Sequence, residues 1–168
     1  MDLKKYISEV KNFPKKWIDF KDISTLLENP KALNFAIESI KEKIWTPDKI
    51  IWLDARGFIF WSILAYEMHI PFVMLRKKWK LPGECESINY DLEYWSNTFE
   101  IQKNAIKKWD KIAIVDDLLA TWWSAKAGID LIEGVWWIID SLNFVIELWF
   151  LNWRDKFWDK LINSLIIY

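Results

Sequence analysis

Glycine is nearly missing from this sequence, which has 4 glycines among 168 residues, whereas ordinary usage of about 7% would give roughly twelve. Tight turns use glycine because it adopts positive φ without a steric cost. Tryptophan is correspondingly frequent, with 14 residues, and many lie in polar stretches typical of turns, such as KKWD at Trp109 and LNWRD at Trp153. So few glycines exclude a glycine-rich linker, and they raise the question of which residues occupy the turn positions that ordinarily need glycine.

Three other absences narrow the class of protein. The single cysteine, Cys85, cannot form an internal disulfide, which is typical of a reducing compartment, so we expect a cytoplasmic protein. Neither sign of charge is in excess, with 23 basic and 24 acidic residues, and we therefore expect no nucleic-acid partner and no membrane partner. The most apolar stretch, residues 135–151, is interrupted by Asp140, Asn143 and Glu147, which argues against a transmembrane helix there.

The apolar residues that are present follow two alternating patterns. Helical periodicity predicts helices at residues 2–10, 30–43, 58–68, 122–132 and 154–161, and short apolar runs predict strands at residues 49–53, 71–76, 111–115, 138–148 and 164–167. Strands that alternate with helices indicate a parallel sheet covered by helices on both faces. With 168 residues and no linker, we expect a single α/β domain.

The stretch that follows the predicted strand at 111–115 carries the strongest signal for a site. Ligands of such folds bind at the carboxyl ends of the strands, and Asp116 and Asp117 come directly after this strand. Their carboxylates can accept hydrogen bonds from two neighbouring hydroxyls, such as a ribose diol, or can hold Mg²⁺ through oxygen ligands. The residues alone leave both interpretations open.

The start of the next predicted helix is a candidate anion site. Ala120, Thr121 and Ser124 surround it, and N–H groups and hydroxyls at a helix N-terminus bind phosphate. The alternative is that Asp117, Thr121 and Ser124 only cap the helix. Two tryptophans, at positions 122–123, stand where the backbone would have to approach the phosphate closely.

The segment VDDLLATWWSA at residues 115–125 resembles the phosphoribosyl-pyrophosphate (PRPP) motif of the type I phosphoribosyltransferases, Val-Asp-Asp-Leu-Leu-Ala-Thr-Gly-Gly-Thr/Ser. More narrowly, nearly the whole chain resembles the adenine phosphoribosyltransferase family. The segments that carry this resemblance, in family order, are FPKKWIDFKDISTLL from residue 13, WLDARGFIFW from residue 52, LRKKWKLPGE from residue 75 and YDLEYWSNTFEIQKNAI from residue 90.

The resemblance implies a fold and a reaction. The fold would be the type I phosphoribosyltransferase fold, a central parallel sheet flanked by helices, with a small N-terminal hood (residues 1–30) and a flexible lid or arm (residues 77–102). The reaction would be purine salvage, in which the 5-phosphoribosyl group of PRPP is transferred to adenine, giving AMP and pyrophosphate with Mg²⁺ as cofactor. The alternatives are transfer to xanthine, hypoxanthine or guanine, and a regulator that binds PRPP without catalysis. A homodimer is also implied.

The resemblance further implies which residues bind PRPP. Asp116 and Asp117 would bind the ribose hydroxyls, with Mg²⁺ held nearby only indirectly, through PRPP and water. Arg56 would contact the pyrophosphate, and Arg76 and Lys80 would add positive charge there. The 5′-phosphate would lie on the backbone and hydroxyls of the PRPP loop, which comprises Ala120, Thr121, Trp122, Trp123 and Ser124.

Catalysis and base recognition are implied for two other segments. Glu93 would assist proton transfer near N7 of the purine while N9 attacks and the pyrophosphate leaves. Arg56 would stabilise the charge on the departing pyrophosphate, and Tyr94 would lie close to the substrate. The purine base would be recognised by Ile18, Asp19, Phe20 and Lys21.

The departures from the family pattern are almost all of one kind. UGA is read as glycine in one variant genetic code and as tryptophan in another, so reading a UGA-glycine gene with the wrong table would replace glycine by tryptophan. We therefore predict that most tryptophans are glycine in the native protein, and UGG codons at positions 122–123 would contradict this. The positions where the family has glycine are Trp17, Trp52, Trp61, Trp79, Trp95, Trp122, Trp123 and Trp153.

Overall fold

The computed structural model describes residues 1–53, 58–91, 96–105, 107–119, 122–157 and 159–168. The β-strands in these residues are β1 (Ser8–Val10), β2 (Phe20–Asp22), β3 (Lys49–Leu53), β4 (Phe72–Lys77), β5 (Cys85–Asp91), β6 (Ser96–Gln102), β7 (Lys111–Leu119), β8 (Ile138–Glu147) and β9 (Ile162–Ile167). The α-helices are α1 (Ser24–Leu27), α2 (Pro30–Lys41), α3 (Phe58–Met68) and α4 (Trp122–Gly134), and 3₁₀ helices cover Leu3–Tyr6, Lys103–Ala105, Trp149–Leu151 and Trp153–Phe157.

Seven strands form one sheet in the order β5-β6-β4-β3-β7-β8-β9. Its five-stranded part from β4 to β9 is parallel throughout, which confirms the predicted parallel sheet. The other two strands, β5 and β6, pair antiparallel with each other, and β6 pairs antiparallel with β4, so these two strands extend the sheet beyond β4. A separate antiparallel pair, β1 with β2, lies within residues 1–30.

The sheet has a hydrophobic core on each face. On one face α2 and α3 contribute Ile40 and Phe60 to a cluster that includes Val115 of β7. On the other face α4 contributes Ile132 to a cluster that includes Ile114. These two successive residues of β7 belong to different clusters because neighbouring strand residues face opposite sides of the sheet. Helices therefore cover both faces, as the sequence predicted.

Local sequence signals explain where the helices begin. At the start of α2, the Asn29 side chain accepts hydrogen bonds from the backbone N–H groups of Lys31 and Ala32, and Pro30 occupies the first turn, where a proline costs no hydrogen bond. The bounds of α3, Phe58–Met68, are those predicted from the periodicity. Within the described residues, no helix is both long enough and apolar enough to cross a membrane.

Two predicted helices are wrong, and two strands are longer than predicted: β7, and β9, which begins at Ile162 instead of residue 164. Residues 2–10 form a 3₁₀ turn followed by β1, because Leu3 and Ile7 reach the core from a turn while residues 8–10 pair with β2. In the described part of residues 154–161 the only helix is the 3₁₀ helix Trp153–Phe157. Phe157 is buried, whereas Leu161, which follows this helix, is exposed. Strand β7 continues to Leu119 instead of ending at residue 115, because β8 remains beside it over its whole length.

Several tryptophans have backbone conformations that favour glycine. Among the described non-glycine residues with positive φ, four are tryptophan: Trp17 at 73°, Trp79 at 67°, Trp109 at 71° and Trp136 at 66°. All four side chains are exposed, between 56% and 91%. A bulky residue rarely adopts this region because Cβ clashes with the backbone. These turns thus have the geometry of glycine turns.

Candidate active site

The two aspartates of the PRPP motif lie near the carboxyl end of the central strand β7. Asp117 is 5% exposed, and Asp116 is half-buried. The backbone N–H of Asp117 donates a 2.8 Å hydrogen bond to Oδ1 of Asp116. Because β7 extends to Leu119, both carboxylates belong to the strand itself and not, as predicted, to the residues just after it. A strand flanked on both sides holds them on a rigid support.

The PRPP loop joins the end of β7 to α4. Ala120 and Thr121 lie outside the described residues, and α4 begins at Trp122, so only two residues separate strand and helix. The helix therefore starts at the carboxyl edge of the sheet, where its N-terminal N–H groups can serve an anion. The side chains of Trp122, Trp123 and Ser124 also lie outside the described part, and their predicted contacts stay predictions.

The residues predicted for catalysis cannot be placed, whereas the two additional cations can. Arg56, Glu93 and Tyr94 lie outside the described residues. Arg76 is half-buried near the carboxyl end of β4, opposite Glu100 of β6, and Lys80 is exposed just beyond that strand. Because β4, β3 and β7 are parallel neighbours, the segments that follow them leave the same edge of the sheet.

The segment predicted to recognise the base lines a cavity of about 490 Å³, a size typical of small-molecule sites. Three of its four predicted residues, Ile18, Asp19 and Lys21, line this cavity. Phe20 does not, and its ring packs edge-on against Phe13, with the ring centroids 5.3 Å apart. The remaining lining residues are Trp17, Leu148, Phe150, Leu151 and Tyr168.

Tyr168 connects the two sides of this cavity. The Nζ atom of Lys21 lies 4.2 Å from the centroid of the Tyr168 ring, and Lys21 also forms an ion pair with Glu9 of β1. Burial raises the pKa of the Tyr168 phenol, and the nearby carboxylates of Glu9 and Asp2 raise it further. The phenol therefore stays protonated at neutral pH. Tyr168 is not among the residues that the sequence predicted for the site.

An ion pair with a buried carboxylate lies at the end of β8, one residue before Leu148, which lines the cavity. Glu147, the last residue of β8, is 2% exposed, and Nε and Nη2 of Arg154 each donate to one of its carboxylate oxygens at 2.7 Å. Ser164 Oγ donates to Oε2 of the same carboxylate at 2.5 Å. Burial alone would raise the pKa of Glu147, but the hydrogen bonds from Arg154 and Ser164 and the positive charge of Arg154 hold it below its ordinary value. In the sequence, Glu147 stands out only as a charged residue that interrupts an apolar run.

No protein-family model matches this chain. It is 45% identical to an adenine phosphoribosyltransferase from Clostridium botulinum (strain Hall) over 170 aligned residues, covering 100% of this chain and 99% of the relative. It is 50% identical to an adenine phosphoribosyltransferase from Mycoplasmopsis agalactiae over 156 residues, covering 93% and 92% of the two chains.

Solved structures show the same similarity. The crystal structure of adenine phosphoribosyltransferase from Thermoanaerobacter pseudethanolicus superposes with a TM-score of 0.93 and 41% identity, covering 99% of this chain and 98% of that one. The Saccharomyces cerevisiae enzyme, crystallised with adenine and an imino-altritol bisphosphate, superposes with a TM-score of 0.91 and 38% identity, covering 98% and 96%. The type I phosphoribosyltransferase fold predicted from the sequence is confirmed.

Proposed function

Because this chain belongs to the adenine phosphoribosyltransferase family, we propose that it is the purine-salvage enzyme that converts adenine and PRPP to AMP and pyrophosphate. The observation that carries this function is the similarity to adenine phosphoribosyltransferases over 100% of the chain. The position of the PRPP motif at the carboxyl end of β7 supports it, as does the cavity beside residues 18–21.

In the reaction, the bond between C1′ of the ribose and the pyrophosphate oxygen breaks, and a bond between C1′ and N9 of adenine forms. The pyrophosphate leaves with the bonding electron pair, so negative charge develops there while the purine loses a proton. Arg56 stabilises the leaving pyrophosphate, helped by the positive charges of Arg76 and Lys80. Glu93 assists the proton transfer, and Tyr94 lies beside the substrate.

PRPP is bound at the carboxyl end of β7. Asp116 and Asp117 accept hydrogen bonds from the ribose hydroxyls, since a carboxylate is a strong acceptor for two neighbouring hydroxyls. The backbone of residues 120–124 and the N-terminus of α4 hold the 5′-phosphate. This assignment is supported by the short connection from Leu119 to the start of α4 at Trp122. The hydroxyls of Thr121 and Ser124 supply further hydrogen bonds.

Mg²⁺ fits this site as a companion of PRPP. The described residues contain no cluster of three His, Cys, Asp or Glu side chains that could hold a metal ion, whereas the two aspartates supply oxygen atoms, the ligand type that Mg²⁺ prefers. Asp116 and Asp117 would hold the ion through PRPP and water. The ion would neutralise part of the charge on the pyrophosphate.

Adenine is bound in the cavity between residues 18–21 and residues 148–151. The cavity has apolar side chains for the faces of the ring, namely Ile18, Leu148 and Leu151. Asp19 and Lys21 lie at the same place and supply polar groups for the edge. Phe20 supports this segment from behind through its contact with Phe13.

Most tryptophans of this sequence correspond to glycine in the native protein. Four positive-φ turns support this, since the literal residues at positions 17, 79, 109 and 136 are strained there. The codon at each position, or the intact mass of the protein from its native host, tests the proposal, and UGG codons contradict it.

The activity is tested by measuring initial rates with PRPP and, in turn, adenine, hypoxanthine, guanine and xanthine. Turnover of adenine is expected. Turnover of an oxopurine alone would contradict the choice of base, and PRPP binding without turnover of any base would indicate the non-catalytic regulator. The native enzyme is expected to be a cytoplasmic homodimer.

The role of Glu93 is tested by Glu93→Ala, with Glu86→Ala in β5 of the same arm as the matched control. Loss of a general acid–base group lowers the rate by about 10²–10⁴-fold, so the first variant should lose turnover while it still binds PRPP. Glu86 is exposed and pairs with Lys103, and its replacement should change neither quantity. Unchanged turnover in Glu93→Ala would remove Glu93 from the mechanism.

A further inference from the structure

We infer that the ion pair between Glu147 and Arg154 positions one side of the adenine pocket, so that both residues govern adenine binding without touching the base. This inference rests on the proposed function, because it takes the cavity beside residues 18–21 as the adenine site. Residues 148–153, which lie between the two partners, form the pocket segment. Glu147 and Arg154 are positioning residues, since neither lines the cavity.

The pocket segment supplies much of the cavity but has little hold on the core. Leu148, Phe150 and Leu151 line the cavity. The 3₁₀ turn Trp149–Leu151 contains no buried residue, and the side chains of Trp149 and Phe150 are 56% and 66% exposed. Leu148 packs against the core, but the residues of the turn that follows it do not become buried, so the attachments at either end must determine where that turn lies.

The first end of the pocket segment is attached through its backbone. The N–H of Leu148 donates to the carbonyl of Leu119 at 3.3 Å, and the N–H of Trp149 donates to the carbonyl of Tyr168 at 2.9 Å. Leu119 is also the last residue of β7 before the PRPP loop. The beginning of the segment is thus registered against the strand that leads to the phosphate site.

The second end of the pocket segment is attached through Arg154. Before it, the N–H groups of Leu151 and Asn152 donate back to carbonyls at the start of this turn, at 3.1 Å and 3.0 Å. Arg154 then binds the Glu147 carboxylate with two nitrogens, each at 2.7 Å, and its Nη1 donates to the carbonyl of Ile162 at 3.2 Å. The ion pair therefore closes the segment into a loop and ties it to β8 and β9.

The chemistry of this pair suits positioning better than stabilisation. The Glu147 side chain is 3% exposed and that of Arg154 is 33% exposed, so the cost of taking the carboxylate out of water offsets much of the attraction and the pair adds little net stability. A guanidinium bound by two parallel hydrogen bonds, however, fixes both the distance and the angle between its elements. An apolar pair at the same place would pack without fixing that angle, and the cavity would lose its shape.

The test compares the Michaelis constants for adenine and PRPP. All variants are made in the native sequence, with tryptophan or glycine at the questioned positions according to the intact mass of the native protein. Arg154→Met and Glu147→Gln should each raise the KM for adenine about tenfold, the effect expected for losing one well-formed ionic contact. The KM for PRPP should change less than about twofold on the same scale, because the PRPP loop is attached to β7 and α4. Arg154→Lys, which keeps the charge but not the two-nitrogen geometry, should have an intermediate KM for adenine.

The matched control is Glu133→Gln at the end of α4. It removes another ion pair, with Lys160 at 2.6 Å, in a place that does not attach the pocket segment, and it should leave both Michaelis constants unchanged. Equal increases for adenine and PRPP, a fall in kcat alone, or no change in Glu147→Gln and Arg154→Lys would each overturn the inference. If Glu147→Gln does not fold, as judged by its thermal transition, Arg154→Lys decides the matter by itself.

A further variant separates this inference from the proposed function. Ile18→Ala changes the cavity directly and does not touch the ion pair. If it leaves the KM for adenine unchanged, the adenine pocket itself is misplaced and the proposed base site fails. If it raises that KM while Glu147→Gln and Arg154→Lys do not, the pocket is correct and only the role of the ion pair is overturned.

Discussion

Charged residues have different roles where the parallel strands begin (the amino edge of the sheet) and where they end (the carboxyl edge). At the amino edge, Lys49 of β3 forms a buried ion pair with Asp110, just before β7, and its Nζ also donates to the carbonyl of Ala105 at 2.7 Å. At the carboxyl edge, Asp116 and Asp117 lie at the end of β7 beside the segment that joins it to α4. The amino edge thus joins elements to each other, whereas the carboxyl edge carries the charge that we propose for ligand binding.

This difference follows from the direction of parallel strands. The helices that return along the faces of the sheet begin at the carboxyl edge, so their positive N-termini gather there. The amino edge receives the ends of those helices and only has to be closed. Stability and recognition can therefore be altered separately, and a variant at one edge should spare the other.

The largest effect is expected from Asp116→Asn combined with Asp117→Asn. Both substitutions keep the size of the side chain but remove the charge that we propose accepts hydrogen bonds from the ribose hydroxyls. Each hydrogen bond to a charged group contributes about 1.5–3 kcal/mol, so kcat/KM for PRPP should fall by about 10²–10⁴-fold. Initial-rate measurements check this, with the thermal transition as a control for folding. A fall smaller than about tenfold would contradict the assignment of both aspartates.

Asp110→Asn should lower the stability of the protein and leave its activity unchanged. It leaves Lys49, whose side chain is 15% exposed, without its carboxylate, and breaking a buried ion pair on one side lowers the free energy of unfolding by about 3 kcal/mol. Urea denaturation measures this change, and kcat/KM at a temperature below unfolding should stay the same. If activity falls together with stability, the two edges are not independent.

Trp136→Gly, also at the amino edge, should change the free energy of unfolding by a smaller amount and should raise it. Trp136 has a φ of 66° and is 56% exposed. In the protein that carries all the printed tryptophans, glycine at this position would relieve backbone strain and raise the free energy of unfolding by about 1 kcal/mol. The control is its neighbour Trp137, which is 3% exposed and donates its indole N–H to the carbonyl of Lys107 at 2.8 Å. Trp137→Gly should destabilise the protein by leaving a cavity.

The smallest effect is expected from Glu147 in acid. Its pKa is lower in the folded protein than in the unfolded chain, so the ionised carboxylate contributes stability above the ordinary glutamate pKa of about 4.3. That contribution is lost as the pH falls through the lower, folded-state pKa. The free energy of unfolding should therefore decrease less steeply with acidification in Glu147→Gln than in the parent protein. Parallel urea titrations at several acidic pH values measure the two slopes, and identical slopes would contradict the pKa assignment.

The sequence predicted elements whose signals are local. The bounds of β3 and α3 agree with the periodicity because both are short apolar segments surrounded by polar residues. Residues 2–10 were mistaken for a helix because the spacing of Leu3 and Ile7 suits a helix as well as a turn followed by a strand. Only the pairing of β1 with β2, which is not encoded locally, distinguishes the two.

The candidate site also has parts that the local sequence predicts and parts that depend on contacts between distant segments. The PRPP motif and the base segment are continuous in sequence and could be recognised there, and Ile18, Asp19 and Lys21 do line a cavity. Glu147 and Tyr168 could not be predicted as parts of that region. The partners of Glu147 come from segments after β8, and Tyr168 reaches the cavity only when β9 lies beside β8.

A single unmatched residue near the start of β8 determines which way the rest of that strand faces. Ile112 of β7 faces Ile139, but the next residue, Ala113, faces Ser141, so Asp140 has no counterpart. Since side chains alternate between the two faces of a sheet, one additional residue exchanges the faces for the rest of the strand. The additional residue Asp140 therefore determines which face of the sheet each later side chain of β8 lies on, and it places Glu147 on the side of Arg154. Insertions and deletions of one residue in β8 should be tolerated before this point and not after it.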